Sequence, residues 1–158
     1  MADYDIVFED NTVKVIAAIE DAVDKFLLEA GGELEAQLTR NSRVDKGQTR
    51  SQWAAKLDKG NNQIVVGNPL ENAVWEEFGT GEFAVNGDGR QTPWYVPVDG
   101  YLGTKKPTYN GQVIIVYGKN GKKFFKTNGK RGTRAFEKAK NTVKPKINKY
   151  AKEAFKKV

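Results

Sequence analysis

The chain has 158 residues, of which 39% are hydrophobic and 29% are charged, so it can bury one modest core. It has neither cysteine nor histidine. These absences exclude disulfides, thiol nucleophiles, Ser-His-Asp triads and the common zinc sites. We therefore expect no enzymatic activity, no cofactor and no bound metal. The length of the chain predicts a single domain, 1–158.

The charges are distributed unevenly along the chain. Residues 119–158 hold 15 Lys and Arg and 2 acidic residues, whereas residues 1–118 hold 11 basic and 18 acidic residues. A basic segment of this kind commonly meets nucleic acid, an acidic membrane or an acidic protein surface. Because residues 1–118 of the same chain are acidic, the basic segment could also bind another copy of the protein in an ordered assembly. The simplest interpretation is that the basic segment is a lysine-rich helix exposed to solvent. No export signal and no run of about 20 apolar residues is visible, so we expect no membrane partner.

Residues 12–40 are predicted to form one long amphipathic helix. Apolar residues recur there at steps of three and four, and acidic residues dominate the other face. Asn11 or Thr12 is the expected N-cap. The pair Gly31-Gly32 is costly within a helix, and it predicts either a kink or a site where another backbone packs closely.

Shorter elements follow a loop at 41–47. They are a strand or short helix at 49–56, a strand at 63–67, and one or two helical turns at 73–78 that end in Gly79-Thr80-Gly81. Residues 82–111 are rich in glycine, proline and aromatics, and we predict a long loop or arm there. This arm either becomes ordered against a partner or covers the edge of the core.

The last part of the chain predicts a β-hairpin and a helix. Strands at 112–117 and 123–127 flank Asn120-Gly121, a strong hairpin turn. A final helix is expected after a Thr133 cap, with a kink or split at Pro145. This order of elements predicts an α+β fold, in which an antiparallel β-sheet is packed by a long N-terminal helix and a C-terminal helix.

Two kinds of chemistry can be imagined from the charged residues. Asp45, Glu76 and Glu77 are candidates for a metal-dependent hydrolase, but nothing in their spacing requires such a site. The basic C-terminal segment could bind nucleic acid without reading its sequence, because lysine greatly exceeds arginine there and makes contacts that are not bidentate.

Three segments, in this order, resemble one protein family. Residues 44–53 (VDKGQTRSQW) resemble a V-D-T-G-x-L-R-x-S-W motif, and residues 66–81 resemble V-G-(T/N) followed by Y-A-x-(Y/W)-x-E-F-G-T-G. Residues 129–139 resemble the P-x-x-F-x-x-A start of a final helix, without its proline. Together with the long first helix, these motifs are similar to minor structural proteins of long-tailed bacteriophages at the head–tail junction. Those proteins are called neck, tail-completion or head–tail joining proteins.

The resemblance implies a non-enzymatic virion protein that forms a ring-shaped connector, a hexamer or dodecamer, between the head and the tail. It would enclose the DNA channel. Its partners would be copies of itself, head-closure or adaptor proteins, tail tube or tail terminator proteins and, transiently, the passing DNA. It would be located in the virion, and in the host cytoplasm during assembly. A sequence-independent DNA-binding accessory protein is the alternative.

Two sets of residues are candidate contact sites. Candidates for the ring or partner interface lie in and after the E-F-G-T-G segment: Trp75, Glu77, Phe78, Gly79, Thr80, Gly81, Trp94 and Tyr95. The turn at 78–81 has a second interpretation, as a bend that holds Trp75 and Phe78 in the core. Candidates for contact with DNA or with an acidic partner are Lys119, Lys122, Lys130, Arg131, Arg134, Lys138, Lys149 and Lys152.

Overall fold

The computed structural model describes residues 8–44, 47–99 and 114–158. Its helices and strands are α1 (Thr12–Asn41), α2 (Gln48–Ser51), β1 (Ala54–Asp58), β2 (Gln63–Gly67), α3 (Glu71–Phe78), β3 (Trp94–Pro97), β4 (Ile114–Tyr117), β5 (Lys123–Thr127), α4 (Ala135–Val143) and α5 (Ile147–Ala154). Single 3-10 turns occur at Lys59–Asn61, Gly81–Phe83, Lys144–Lys146 and Phe155–Lys157. The predicted α+β fold with its two flanking helices is confirmed.

Helix α1 organises the fold. It packs against α4 and α5 and against the hairpin of β1 and β2. Asn11 occupies the N-cap position, as expected, but its side chain makes no capping hydrogen bond. The carboxylate of Asp10 instead accepts a hydrogen bond from the Thr12 amide at 2.9 Å. The close packing predicted at the glycine pair occurs at Gly31, where a Cβ would overlap the Ile64 side chain of β2. The neighbour is therefore a side chain and not a backbone.

The strands of the described residues form two antiparallel sheets. In the first, β1 pairs with β2, with Ala54 opposite Gly67. The second has the order β3-β5-β4, and Phe125 of β5 lies between Val96 and Ile115. The predicted hairpin at Asn120-Gly121 is confirmed, with Gly121 at φ +70°.

Part of the segment predicted as a loop or arm, 82–111, is strand β3. Residues 100–111 of that segment lie outside the described residues, as do residues 112 and 113 of the predicted strand.

The core lies where α1 crosses α4. Leu38, Ala135 and Ala139 are buried together there, and Trp53 packs against them. The Trp53 indole donates a hydrogen bond to the hydroxyl of Ser42 at 2.8 Å, which ties the start of the first sheet to the end of α1.

The predicted split of the C-terminal helix at Pro145 is confirmed by the 3-10 turn between α4 and α5. Within the described ranges, no helix is long and apolar enough to cross a membrane.

Candidate interaction site

Two glycine-containing segments run side by side next to α3. The first segment, residues 76–82, contains the last residues of α3 and the turn that follows them. The second segment, residues 128–134, connects β5 to α4. Backbone hydrogen bonds join them, from the Thr80 amide to the Lys130 carbonyl at 2.8 Å and from the Glu82 amide to the Asn128 carbonyl at 3.0 Å. We call this pair of segments the loop crossing. It brings together the second and third sequence motifs, which lie about fifty residues apart in the chain.

Glycines allow the two backbones of the loop crossing to approach closely. A Cβ on Gly81 would overlap the carbonyl of Asn128, and a Cβ on Gly129 would overlap the carbonyl of Thr80. Gly79 and Gly81 also have φ values of +79° and +63°, a region that favours glycine. The G-T-G sequence is thus explained by backbone geometry and close contact.

The carboxylate of Glu77 caps helix α4 from another element. It accepts hydrogen bonds from the amides of Phe136 at 2.8 Å and Glu137 at 3.2 Å, which are free donors in the first turn. The prediction that Thr133 caps this helix is wrong. The Thr133 hydroxyl instead donates to the carbonyl of Glu76 at 2.9 Å, because the crossing segment approaches it from that side.

The neighbouring carboxylate, Glu76, is held by cations of the same chain. It forms an ion pair with Lys130, and the Arg43 Nε lies 4.0 Å from its Oε2. Arg43 also donates a hydrogen bond to the carbonyl of Arg131 at 2.8 Å. Glu76 and Glu77, two of the three hydrolase candidates, therefore have structural partners, and Asp45 lies outside the described residues. Among the residues that the structure describes, no cluster of three or more acidic side chains is placed to hold a metal ion.

The outer face of α3 is apolar and exposed. Trp75 is 53% exposed and Phe78 is 45% exposed, so the interpretation that the turn buries them in the core is wrong. Together with Val85 and Trp94 they line a groove of about 550 Å³, which we call the α3 groove.

Most of the interface candidates meet at this groove. Its lining includes Trp75, Phe78, Gly79, Thr80, Gly81 and Trp94. Glu77 instead points its carboxylate at α4, and Tyr95 is an exposed residue of β3 opposite Lys126.

The basic candidates fall into two groups. Three have contacts at or near the loop crossing: Lys130 pairs with Glu76, Arg131 lies 5.1 Å from the Phe83 ring, and Arg134 pairs with Glu137 at 2.6 Å. The others are exposed, at the β4–β5 hairpin (Lys119 and Lys122) and on α4 and α5 (Lys138, Lys149 and Lys152). We call these helical lysines the lysine face.

Sequence reasoning missed two features. Arg43 was predicted only as part of the loop at 41–47, and a cation in a loop gives no signal that its partner, Glu76, lies 33 positions later. The apolar periodicity of 12–40 also does not show that the first turns of α1 are uncovered, where Val13, Ile16 and Ile19 are exposed. The length of the apolar stripe relative to the C-terminal helices is the only signal that could have revealed this.

Comparison with known proteins supports the motif-based resemblance. Residues 7–79 match the family model HK97-gp10_like, described as "Bacteriophage HK97-gp10, putative tail-component". The match extends from α1 through α3 and ends at Gly79 in the loop crossing. No curated protein and no solved structure matches the chain. Over residues 7–79, the protein is thus similar to a family of bacteriophage tail components, as its motifs predicted.

Proposed function

We propose that this protein is a non-enzymatic subunit of a ring in the phage neck or at the top of the tail, which joins the head to the tail and encloses the DNA channel. The family match over residues 7–79 carries this proposal, because it links the chain to a structural component of phage tails. The subunit contacts other copies, the head-closure or adaptor proteins and the tail tube or tail terminator proteins. It acts in the virion after assembly in the host cytoplasm.

The distribution of charge supports this role. Several acids of α1 already have partners in the same chain, such as Glu33 with Lys146 at 2.9 Å and Asp24 with Lys59 at 2.5 Å. The lysine face remains exposed, with Lys149 in a weak 3.8 Å ion pair with Glu153, so it can meet DNA phosphates or the acidic surface of a neighbour. Lysine is suited to such contact, because its charge acts without the directional pairing that sequence readout requires.

Charge reversal on the lysine face tests the proposal. In phage carrying Lys138→Glu and Lys152→Glu together, we expect heads and tails that fail to join, counted by electron microscopy, and a loss of infectious particles. The matched control is Lys25→Glu with Lys56→Glu, which changes the net charge equally at exposed positions outside the basic segment. Circular dichroism of both purified variants establishes that they fold. Normal particle yield from the lysine-face variant would contradict the proposal.

The second candidate function, a DNA-binding accessory protein, is favoured by the 15 basic and 2 acidic residues of 119–158. It predicts a free monomer or dimer whose affinity for duplex DNA falls steeply with salt, since phosphate contacts release counterions. Native mass spectrometry of the protein alone, with tails and with DNA separates the two functions. A ring subunit joins tails or DNA-filled heads, whereas an accessory protein binds only the duplex.

A further inference from the structure

The N-terminal end of α1 extends past the helices that cover the rest of it. Helices α4 and α5 run antiparallel to α1, because Leu38 meets the start of α4 and Glu33 pairs with Lys146 before α5. Ala22 is buried, but of residues 8–21 all except the half-buried Ala18 are exposed. We call residues 8–19 the α1 overhang. Its helical part, 12–19, is about 12 Å long at the usual rise of about 1.5 Å per residue.

The overhang carries an apolar stripe with no cover in the described part of the chain. Val13, Ile16 and Ile19 follow one another at helical spacing and are 81%, 51% and 41% exposed. The same stripe continues into Val23 and Phe26, which are half-buried. A contiguous apolar surface of this kind marks an interaction site more often than a solvated face.

The α3 groove is the matching concave surface, and it lies at the other end of the molecule. Glu77 of α3 caps α4 at the end that packs against Leu38. Ile19 and Leu38 are separated by about 28 Å along the axis of α1. The overhang therefore cannot reach the groove of its own chain.

We propose that the α1 overhang of one copy docks in the α3 groove of the next copy. A ridge of aliphatic side chains on a helix fits an apolar groove lined by aromatic residues. One charge pair also fits, because the overhang carries Asp10, which makes no ion pair within the described part of its own chain, whereas the groove is bordered by Arg90, whose guanidinium lies 5.8 Å from the Trp94 ring. The other two charges of the overhang, Glu9 and Lys14, pair with each other at 3.7 Å and leave its apolar stripe uncharged.

Two other partners for the overhang fit less well. Pairing of two overhangs with each other would leave the exposed aromatic side chains of the α3 groove without a partner. The lysine face matches the charge, but it presents charged groups where Ile16 and Ile19 require apolar cover. Because the overhang and the groove are different surfaces, their contact is heterologous and closes into a ring when the rotation between copies permits. This inference rests on the proposed ring function and specifies its interface.

Disulfide cross-linking tests the interface cleanly, because the natural chain has no cysteine. Chains carrying Ile16→Cys are mixed with chains carrying Val85→Cys, with and without purified tails, under mild oxidation. Both positions are exposed. We expect cross-linked dimers that contain one chain of each kind, formed about tenfold or more faster than in a mixture of Ile16→Cys with Lys152→Cys, because docking raises the local concentration of the two thiols.

The outcomes separate this interface from the proposed function. Dimers of Ile16→Cys alone, equal or faster cross-linking to Lys152→Cys, or no cross-linking while the natural protein forms oligomers in native mass spectrometry would each overturn the interface and leave the ring function standing. A natural protein that stays monomeric with and without tails, together with no cross-link, would overturn both.

Discussion

The cap that Glu77 provides to helix α4 gives a quantitative prediction. In Glu77→Ala the amides of Phe136 and Glu137 lose their acceptor, and the start of α4 loses a negative charge. Loss of an N-cap costs about 1 kcal/mol, and a favourable charge at a helix N-terminus contributes about 0.3–1 kcal/mol. We expect the free energy of unfolding to fall by about 1–2 kcal/mol. Glu77→Gln keeps one acceptor oxygen and should lose roughly half as much.

Urea denaturation measures this effect as a lower midpoint with an unchanged slope. In thermal unfolding the same change lowers Tm by roughly 2–8 °C for a chain of this size. Glu153→Ala is the matched control, because Glu153 is an exposed acid that lies 3.8 Å from Lys149, and exposed ion pairs of this kind contribute little. If Glu77→Ala and Glu153→Ala have the same midpoint, the cross-element cap does not stabilise the fold and the reasoning is refuted.

Two further predictions concern a glycine and a carboxylate. Gly81→Ala should destabilise the fold by about 1–3 kcal/mol more than Gly87→Ala in urea denaturation, because both have positive φ but only the first Cβ would overlap backbone, at Asn128; equal losses would contradict this. A hydrogen bond from Lys146 holds the pKa of Glu33 below its usual 4.5. The contribution of the ionised Glu33 carboxylate to the free energy of unfolding is therefore complete above about pH 4.5 and is lost as the pH falls further. Between about pH 6 and pH 3 the natural protein should lose more unfolding free energy than Glu33→Gln, and parallel losses would contradict the prediction.

Features that depend on neighbours in the chain were predictable from the sequence. The period of the apolar residues predicted α1, Asn120-Gly121 predicted the second hairpin, and Pro145 predicted the split between α4 and α5. In each case the cause lies within about one turn of the backbone, so a local pattern carries the information.

Features that depend on distant contacts were not predictable. Thr133 has the residue type and position of a cap, but the crossing segment occupies its hydroxyl, and Glu77 takes over the role from 59 positions away. The periodicity of α1 identifies an apolar face but does not show where its covering helices end. For the same reason, the exposure of Trp75 followed only from the packing of α3 at the side of the fold.

The loop crossing connects the two surfaces on which the proposals rest. On one side, the crossing holds the start of α4 by two hydrogen bonds, from the Phe136 amide to the Glu77 carboxylate and from the Thr133 hydroxyl to the Glu76 carbonyl. These bonds set the direction in which α4 and its lysines leave the sheet. On the other side Gly79 and Gly81 form part of the α3 groove. A neighbour docked in that groove therefore contacts the same segment that orients the lysine face of the copy it binds. In a ring of the proposed kind every copy would repeat this relation, so the loop crossing would lie both at the interface and at the start of the helix that carries Lys138.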